Sequence, residues 1–332
     1  MENICKLIAA ALLLAGCATT QPNSPAACVF DKLAELPLAG SALRPTLKMA
    51  IDGKQVNLLL DTGATATLIT RTAFERLDLE RDYKVNINTA GIGGLKGMST
   101  AQAVKASTVT LAGLNVNSEY LHIVVGNFEL SSVAGVAIDG ILGQDILGHY
   151  DLDMNFPSHV IAFYRPRQCS DGTPPWPGAT VNVPRPPKAP GDVRHLAEFN
   201  PLGFRSGDPR PFATVEVDGH TLLGLVDTGA SSHYLDRAAA LGIGVTEEQL
   251  AQDRSIQASG ASAIKVTAAV HKFGVMRVFD MAWNDQLIVV GELGGHHQML
   301  IGMPILQYRR VWYPQHGAKM ILSTQLKIES KP

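Results

Sequence analysis

The chain has only four cysteines in 332 residues, no strong excess of either charge, and no apolar run long enough to span a bilayer as a permanent helix. Each shortage excludes something. A formal net charge of -2 gives no reason to expect nucleic acid or an acidic surface as a partner. One adjacent histidine pair, His296-His297, is accompanied by no His-Glu-x-x-His and no cysteine cluster, so it is expected in a solvated loop and no metal site is expected. A glycine-rich stretch at 91–97 lacks the strand-to-helix setting of a nucleotide loop, and no cofactor is expected. What remains is a globular composition, 46% hydrophobic, in a length that suits about two domains.

The first residues stand apart. Lys6 is followed by Leu7-Ile8-Ala9-Ala10-Ala11-Leu12-Leu13-Leu14 and then Ala15-Gly16-Cys17. This Leu-Ala-Gly-Cys box resembles a bacterial lipoprotein signal, which implies cleavage after residue 16, lipidation of Cys17 and membrane anchoring through that lipid. An ordinary cleaved signal or a buried helix is the alternative. By the same resemblance, Ala18 after the cysteine favours the periplasmic side of the outer membrane. Removal of Cys5 and lipidation of Cys17 leave Cys28 and Cys169, expected to pair as a disulfide in an oxidising compartment, with two unpaired thiols as the alternative.

Residues 17–40 read as a polar, Ala/Pro-containing tether. Residues 166–195 hold Pro166, Pro174, Pro175, Pro177, Pro184, Pro186, Pro187 and Pro190, a density that cannot propagate a helix or a central strand, so they read as a linker. The linker divides an N-terminal lobe, 41–165, from a C-terminal lobe, 196–332. Within each lobe, short apolar runs are broken by glycine and polar turns. Thr46 to Ile51, the turn Asp52-Gly53, and Val56 to Leu60 make a hairpin, repeated as Ala213 to Val217, Asp218-Gly219, and Leu222 to Val226. Thr70 and Asp236 are placed to cap short helices over 72–77 and 237–241. The fold class is mostly β.

The lobes share more than a pattern. Leu59-Leu60-Asp61-Thr62-Gly63-Ala64 returns as Leu225-Val226-Asp227-Thr228-Gly229-Ala230, an offset of 166 that also carries Arg44-Pro45 onto Arg210-Pro211 and Asp52-Gly53 onto Asp218-Gly219. One Asp-Thr-Gly is weak, since a given tripeptide occurs at a frequency of about 10⁻⁴ per position; two in register are strong. A second pair of marks follows, Ile141-Leu142-Gly143 and Leu300-Ile301-Gly302, and beyond them Phe156-Pro157 and Tyr313-Pro314 open matching final hairpins.

On these residues the chain resembles the retropepsin-like aspartic proteases of the pepsin clan, over about 44–164 and 210–322. The resemblance implies two retropepsin-like β-barrel lobes related by a pseudo-twofold axis, a cleft between them, and one catalytic aspartate from each, Asp61 and Asp227. It also implies that Thr62 and Thr228 grip each other across the lobe interface. Two carboxyls in contact cannot both ionise cheaply, so the pair shares one proton and supplies both an acid and a base. Gly63 and Gly229 let the backbone approach the carboxylates. Ala64 and Ala230 stand where pepsin-like enzymes of acidic compartments usually carry serine, which is expected to leave the dyad's apparent pKa higher and the optimum nearer neutral.

Between the two marks of lobe one, Gly91, Ile92, Gly93 and Gly94 lie in a glycine-dense hairpin tip that reads as a flap over substrate, a plain turn being the alternative. The matching tip in lobe two, Ala258-Ser259-Gly260-Ala261-Ser262, is weaker. Asp139 and Asp145 have no acidic counterpart in lobe two and are expected to serve structure. The leading expectation is therefore a lipid-anchored aspartic endopeptidase acting on peptides or envelope proteins in extended conformation, as a monomer whose two lobes form one site. A non-catalytic envelope peptide-binding lipoprotein is the alternative, and pairing of lobes between chains is a variant of the first.

Overall fold

The structure, a computed structural model, describes residues 29–90, 98–116, 123–126, 128, 130–167, 174–184, 210–259, 265–294, 297–315 and 319–324. The chain is mostly β, in two lobes. Both expected hairpins are present. Arg44–Ile51 pairs antiparallel with Lys54–Leu60, and Phe212–Val217 pairs with His220–Val226. Their turns place Asp52 at φ 48° with Gly53 at 75°, and Asp218 at φ 47° with Gly219 at 84°. Two successive left-handed residues match the twist of the strands they join, which is what an Asp-Gly pair permits.

The inner strand of each hairpin buries the same positions. Val56, Leu58, Leu59 and Leu60 correspond one for one to Leu222, Gly224, Leu225 and Val226. Leu58 and Leu60 are fully enclosed, so truncating either to alanine would cost about 2–5 kcal/mol. Behind each runs a short parallel strand, Gly140–Leu142 against Leu58 to Leu60 and Met299–Ile301 against Gly224 to Val226. Gly143 and Gly302 follow these strands where a Cβ would meet the Ala66 and Ser232 backbone at 2.5 Å.

Lobe two closes: Phe212–Val217, His220–Val226, Met299–Ile301, Tyr234–Asp236, Met281–Gly291 and Lys265–Val278 pair in sequence, and the last returns to the first to complete a six-stranded barrel. Lobe one builds a half-barrel around the corresponding strands. Both short helices are capped as expected. Thr70 Oγ1 accepts the Ala73 amide at 3.1 Å ahead of Arg71–Leu77, and Asp236 Oδ1 accepts that of Ala238 at 3.0 Å ahead of Arg237–Gly242.

A six-stranded antiparallel sheet is shared by the lobes. Its order is Lys32–Pro37, Val160–Tyr164, Asp151–Asn155, Arg310–Tyr313, Lys319–Ser323 and Thr180–Pro184, three strands from each half of the chain. The central junction pairs Leu152 with Tyr313 and Met154 with Val311. Arg310 clamps it, its Nε and Nη2 donating to the two Asp153 carboxylate oxygens at 2.8 and 2.6 Å while its guanidinium lies 4.5 Å from the Trp176 ring.

This sheet revises the tether and the linker. Lys32–Pro37 and Ala39–Ser41, inside the assigned tether, are strands. Ala34 and Leu36 alternate inward with exposed Glu35 between them, a period-two pattern that the segment's overall composition conceals. Thr180–Pro184, inside the assigned linker, is the outermost strand at the opposite end. A terminal proline is tolerated there because an edge strand has no further neighbour to receive its amide. Each strand pairs with the final hairpin of its own lobe, so the repeat includes them.

Candidate functional site

Asp61 and Asp227 each follow the inner strand of their hairpin. The Asp61 amide donates to the Leu142 carbonyl at 3.2 Å and the Asp227 amide to the Ile301 carbonyl at 3.0 Å, so the parallel strand behind each loop sets its height. Two threonines then lock the loops together. Thr62 Oγ1 accepts the Thr228 amide at 3.1 Å and donates to the Val226 carbonyl at 2.7 Å; Thr228 Oγ1 accepts the Thr62 amide at 3.0 Å and donates to the Leu60 carbonyl at 2.7 Å. All four bonds cross between lobes and both side chains are buried.

Within each loop the carboxylate is held by backbone amides. Asp61 Oδ1 accepts from Gly63 and Ala64 at 2.9 and 2.8 Å, and Asp227 Oδ1 from Gly229 at 2.8 Å. The two carboxyls hydrogen-bond each other. Burial pushes Asp61 well above the usual carboxylate range, helped by the negative charge of Asp227. Burial likewise raises Asp227, partly offset by its bond to Asp61, the loop amides and the Arg210 charge. Close carboxyls shielded from water hold one proton between them and titrate as a pair. Gly63 and Gly229 serve closeness across the boundary as well as within their loops: a Cβ on Gly229 would stand 2.5 Å from the Asp61 carboxyl carbon.

Two matches, one in each lobe, relate the chain to an aspartyl protease family model, over residues 47–146 and 213–305. The chain belongs to the aspartyl protease family. Each match contains one Asp-Thr-Gly, so the membership is that of a double-lobed aspartyl protease. None of the curated proteins compared with the chain matches it.

The two lobes of this aspartyl protease family member support the aspartate pair unequally. In lobe one Thr67 Oγ1 accepts the Gly143 amide at 3.1 Å and donates to Asp145 at 2.6 Å, while the Thr67 amide donates to the other Asp145 oxygen at 2.8 Å. Burial lifts Asp145 to about 6. In lobe two His233 occupies the Thr67 position, its Nδ1 accepting the Gly302 amide at 3.1 Å, and burial lowers it to about 4. Gln144 Nε2 braces the Thr62 carbonyl at 3.0 Å, where lobe two has Met303. Asp139 accepts the Asn57 amide at 2.8 Å and pairs with Arg76 at 2.8 Å. Both extra aspartates therefore work inside lobe one.

Sequence reasoning missed His233, Gln144 and Arg210. The offset already carried Arg44 onto Arg210, but gave no sign that Arg210 Nη1 reaches the Gly63 carbonyl of the other lobe, at 3.4 Å. It also misplaced His297, which is only 5% exposed and lines a hollow with His220, Asp236 and Gln298. The neighbouring Gln298 amide bonds to the Leu223 carbonyl, which draws His297 against the strand His220–Val226. Among the described residues no three His, Cys, Asp or Glu side chains gather as a metal site, and no helix is long and apolar enough to cross a membrane. Cys17, Cys28, Cys169, His296 and the flap residues Gly91, Ile92, Gly93 and Gly94 lie outside the described residues, although the strands that lead to that tip, Glu80–Ala90 and Met98–Lys105, pair up to Ala90 and Met98.

Proposed function

We propose that the chain is an aspartic endopeptidase in which Asp61 and Asp227 activate a water for attack on a peptide bond. The observation that carries this reading is the meeting of two carboxyls, one from each lobe, Asp227 buried and Asp61 partly so, both with raised affinity for a proton. In the singly protonated pair, the ionised carboxylate takes a proton from water as the oxygen attacks the carbonyl carbon. The protonated partner hydrogen-bonds the carbonyl oxygen and then supplies a proton to the departing nitrogen. No covalent intermediate is needed, and the exchange leaves the pair again with one proton.

The substrates proposed are peptides or envelope proteins in extended conformation, bound by backbone hydrogen bonds to strands and flaps. The lipoprotein-like box ending at Cys17 supports an enzyme tethered to the periplasmic side of the outer membrane. The inter-lobe threonine bonds, made within a single chain, support a monomer carrying one site.

The test is incubation of the mature protein with a diverse peptide pool, with products read by mass spectrometry beside Asp61→Asn and Asp227→Asn. Cleavage by the parent that disappears in both variants is expected. Cleavage surviving both substitutions would overturn the dyad, and a parent inert across all pH would favour a peptide-binding protein. Gel filtration of the active species checks the monomer.

A further inference from the structure

Gln144 opens the short helix Gln144–Leu147, and Met303 opens Met303–Leu306 at the same place in lobe two. The two positions agree in burial and in backbone. Both residues are wholly enclosed, and their amides donate to equivalent carbonyls, Gln144 to Ala64 and Met303 to Ala230, each at 2.9 Å. Packing alone therefore does not require a glutamine in lobe one. The glutamine even carries a penalty, because its Oε1 is buried and has no hydrogen-bond partner among the described residues, a cost that methionine avoids. What distinguishes it is the donor at its other end, Nε2, which reaches the Thr62 carbonyl at 3.0 Å. The reverse orientation of the side-chain amide would set oxygen against oxygen, so the nitrogen faces the loop.

That carbonyl belongs to the Thr62–Gly63 peptide, and the N–H at the other end of the same peptide donates to Asp61 Oδ1 at 2.9 Å. Gln144 and the Asp61 carboxylate thus hold opposite ends of one peptide unit. A donor on the carbonyl oxygen polarises the peptide and strengthens its N–H as a donor, the more so in low-dielectric surroundings. The Gly63 bond favours ionised Asp61 and works against burial in setting its proton affinity. In lobe two the Gly229 amide donates to Asp227 Oδ1 at 2.8 Å, but Met303 has no donor to offer the Thr228 carbonyl.

The ionisable groups nearby leave this chain of bonds intact. Asp227 acts on Asp61, and Arg210 acts on Asp227. Arg210 also donates to the carbonyl of the next peptide, at Gly63, but over 3.4 Å, the longer and weaker of the two supports. Asp145, which follows Gln144, turns its oxygens to Thr67 and to the Ile146 amide.

We infer that Gln144 is a positioning residue of the aspartate pair, acting on Asp61 through the Thr62–Gly63 peptide and making the two aspartates unequal. By stabilising ionised Asp61 it tips the shared proton toward Asp227. The use of that bias in hydrolysis rests on the endopeptidase reading, whereas the coupling of Gln144 to Asp61 stands without it.

The experiment titrates the full mature chain by carbon-13 NMR of labelled aspartate carboxyls, with the Asp61 and Asp227 signals assigned from Asp61→Asn and Asp227→Asn. Whichever aspartate releases its proton first, the sum of the two macroscopic pKa values contains the ionisation of Asp61 once. Gln144→Met, which borrows the lobe-two residue, should raise that sum by about half a pH unit, the scale of a modest weakening of one hydrogen bond to a charged group. Met303→Gln should lower it by giving the Thr228 carbonyl a donor, and Gln144→Met/Met303→Gln should return it close to the parent value. A role in packing alone predicts no such recovery. A sum unmoved in folded Gln144→Met overturns the inference; if that variant does not fold, Met303→Gln decides, a lowered sum supporting the inference and an unchanged one overturning it. In an active enzyme the pH profile of kcat/KM should move in the same direction as the titration. A parent that cleaves no peptide at any pH sinks the endopeptidase reading and leaves the titration to decide the role of Gln144.

Discussion

A Cβ on Gly63 would lie 2.6 Å from the carboxyl carbon of Asp227 and 2.8 Å from each of its oxygens. The obstacle is the end of a side chain from the opposite lobe, so Gly63→Ala displaces one of the two carboxyls of the proposed mechanism without crushing backbone. The fold should survive and the activity should not. A misplacement on this scale costs about a hundredfold in rate. We expect kcat/KM to fall by about that factor with Tm moved by only a few degrees; activity within about twofold of the parent would show that the closeness is idle.

The threonine lock predicts a different balance. Thr228→Ala removes the donor to the Leu60 carbonyl and the acceptor for the Thr62 amide, leaving two buried polar groups unmatched. Unmatched buried groups cost about 1–3 kcal/mol each, so urea denaturation should show a loss of about 2–6 kcal/mol together with lost activity. Thr228→Ser keeps the hydroxyl and should recover most of both.

In the proposed mechanism the aspartate pair fixes the pH profile. Burial raises both carboxyls, so the acid limb, where the pair takes a second proton, and the alkaline limb, where it loses its only one, are both displaced upward. Activity should peak nearer neutral than strong acid in a pH-rate profile. Arg210 lowers Asp227, so Arg210→Met should move the acid limb further up. An unmoved limb would mean that the guanidinium charge is screened from the dyad.

His233 and Asp145 make opposing contributions to stability. His233, lowered to about 4, is neutral in the fold while the unfolded chain is protonated below about 6.5; its contribution is present above that value and is lost as pH falls toward 4. Asp145, raised to about 6, keeps a proton in the fold that the unfolded chain has released; its contribution is present below about 4 and is lost as pH rises through 6. Each amounts to about 3 kcal/mol, over nearly the same window and with opposite slope. The parent should be nearly flat in this respect between pH 4 and 6. His233→Thr, which borrows the lobe-one residue, should expose a decline of stability with rising pH, measured by urea unfolding at several pH values. An unchanged slope would refute the compensation.

Much of this was legible in the chain. The hairpins could be read because Asp-Gly turns and inward-facing runs are local signals, and the caps Thr70 and Asp236 because a cap lies next to its helix. The dyad could be read because the repeat doubled a motif that is weak alone. Lys32–Pro37 and Thr180–Pro184 could not, since what makes each a strand is a partner far along the chain, Val160–Tyr164 and Lys319–Ser323. The reach of Arg210 to Gly63 is likewise a fact of lobe docking. His233 was hidden because it substitutes for a threonine through a different atom, a ring nitrogen accepting where a hydroxyl accepts in lobe one.

The shared sheet sets conditions on how the protein is made. When the first lobe emerges from synthesis, Asp151–Asn155 already has one neighbour in Val160–Tyr164 but presents its other edge bare, because Arg310–Tyr313 is among the last segments to follow. An unpaired edge recruits any strand that offers itself. A nascent first lobe therefore needs shelter until the second is complete, and a chain cut at the linker would be expected to pair that edge with another copy of itself, returning two half-sites to the condition of a homodimer.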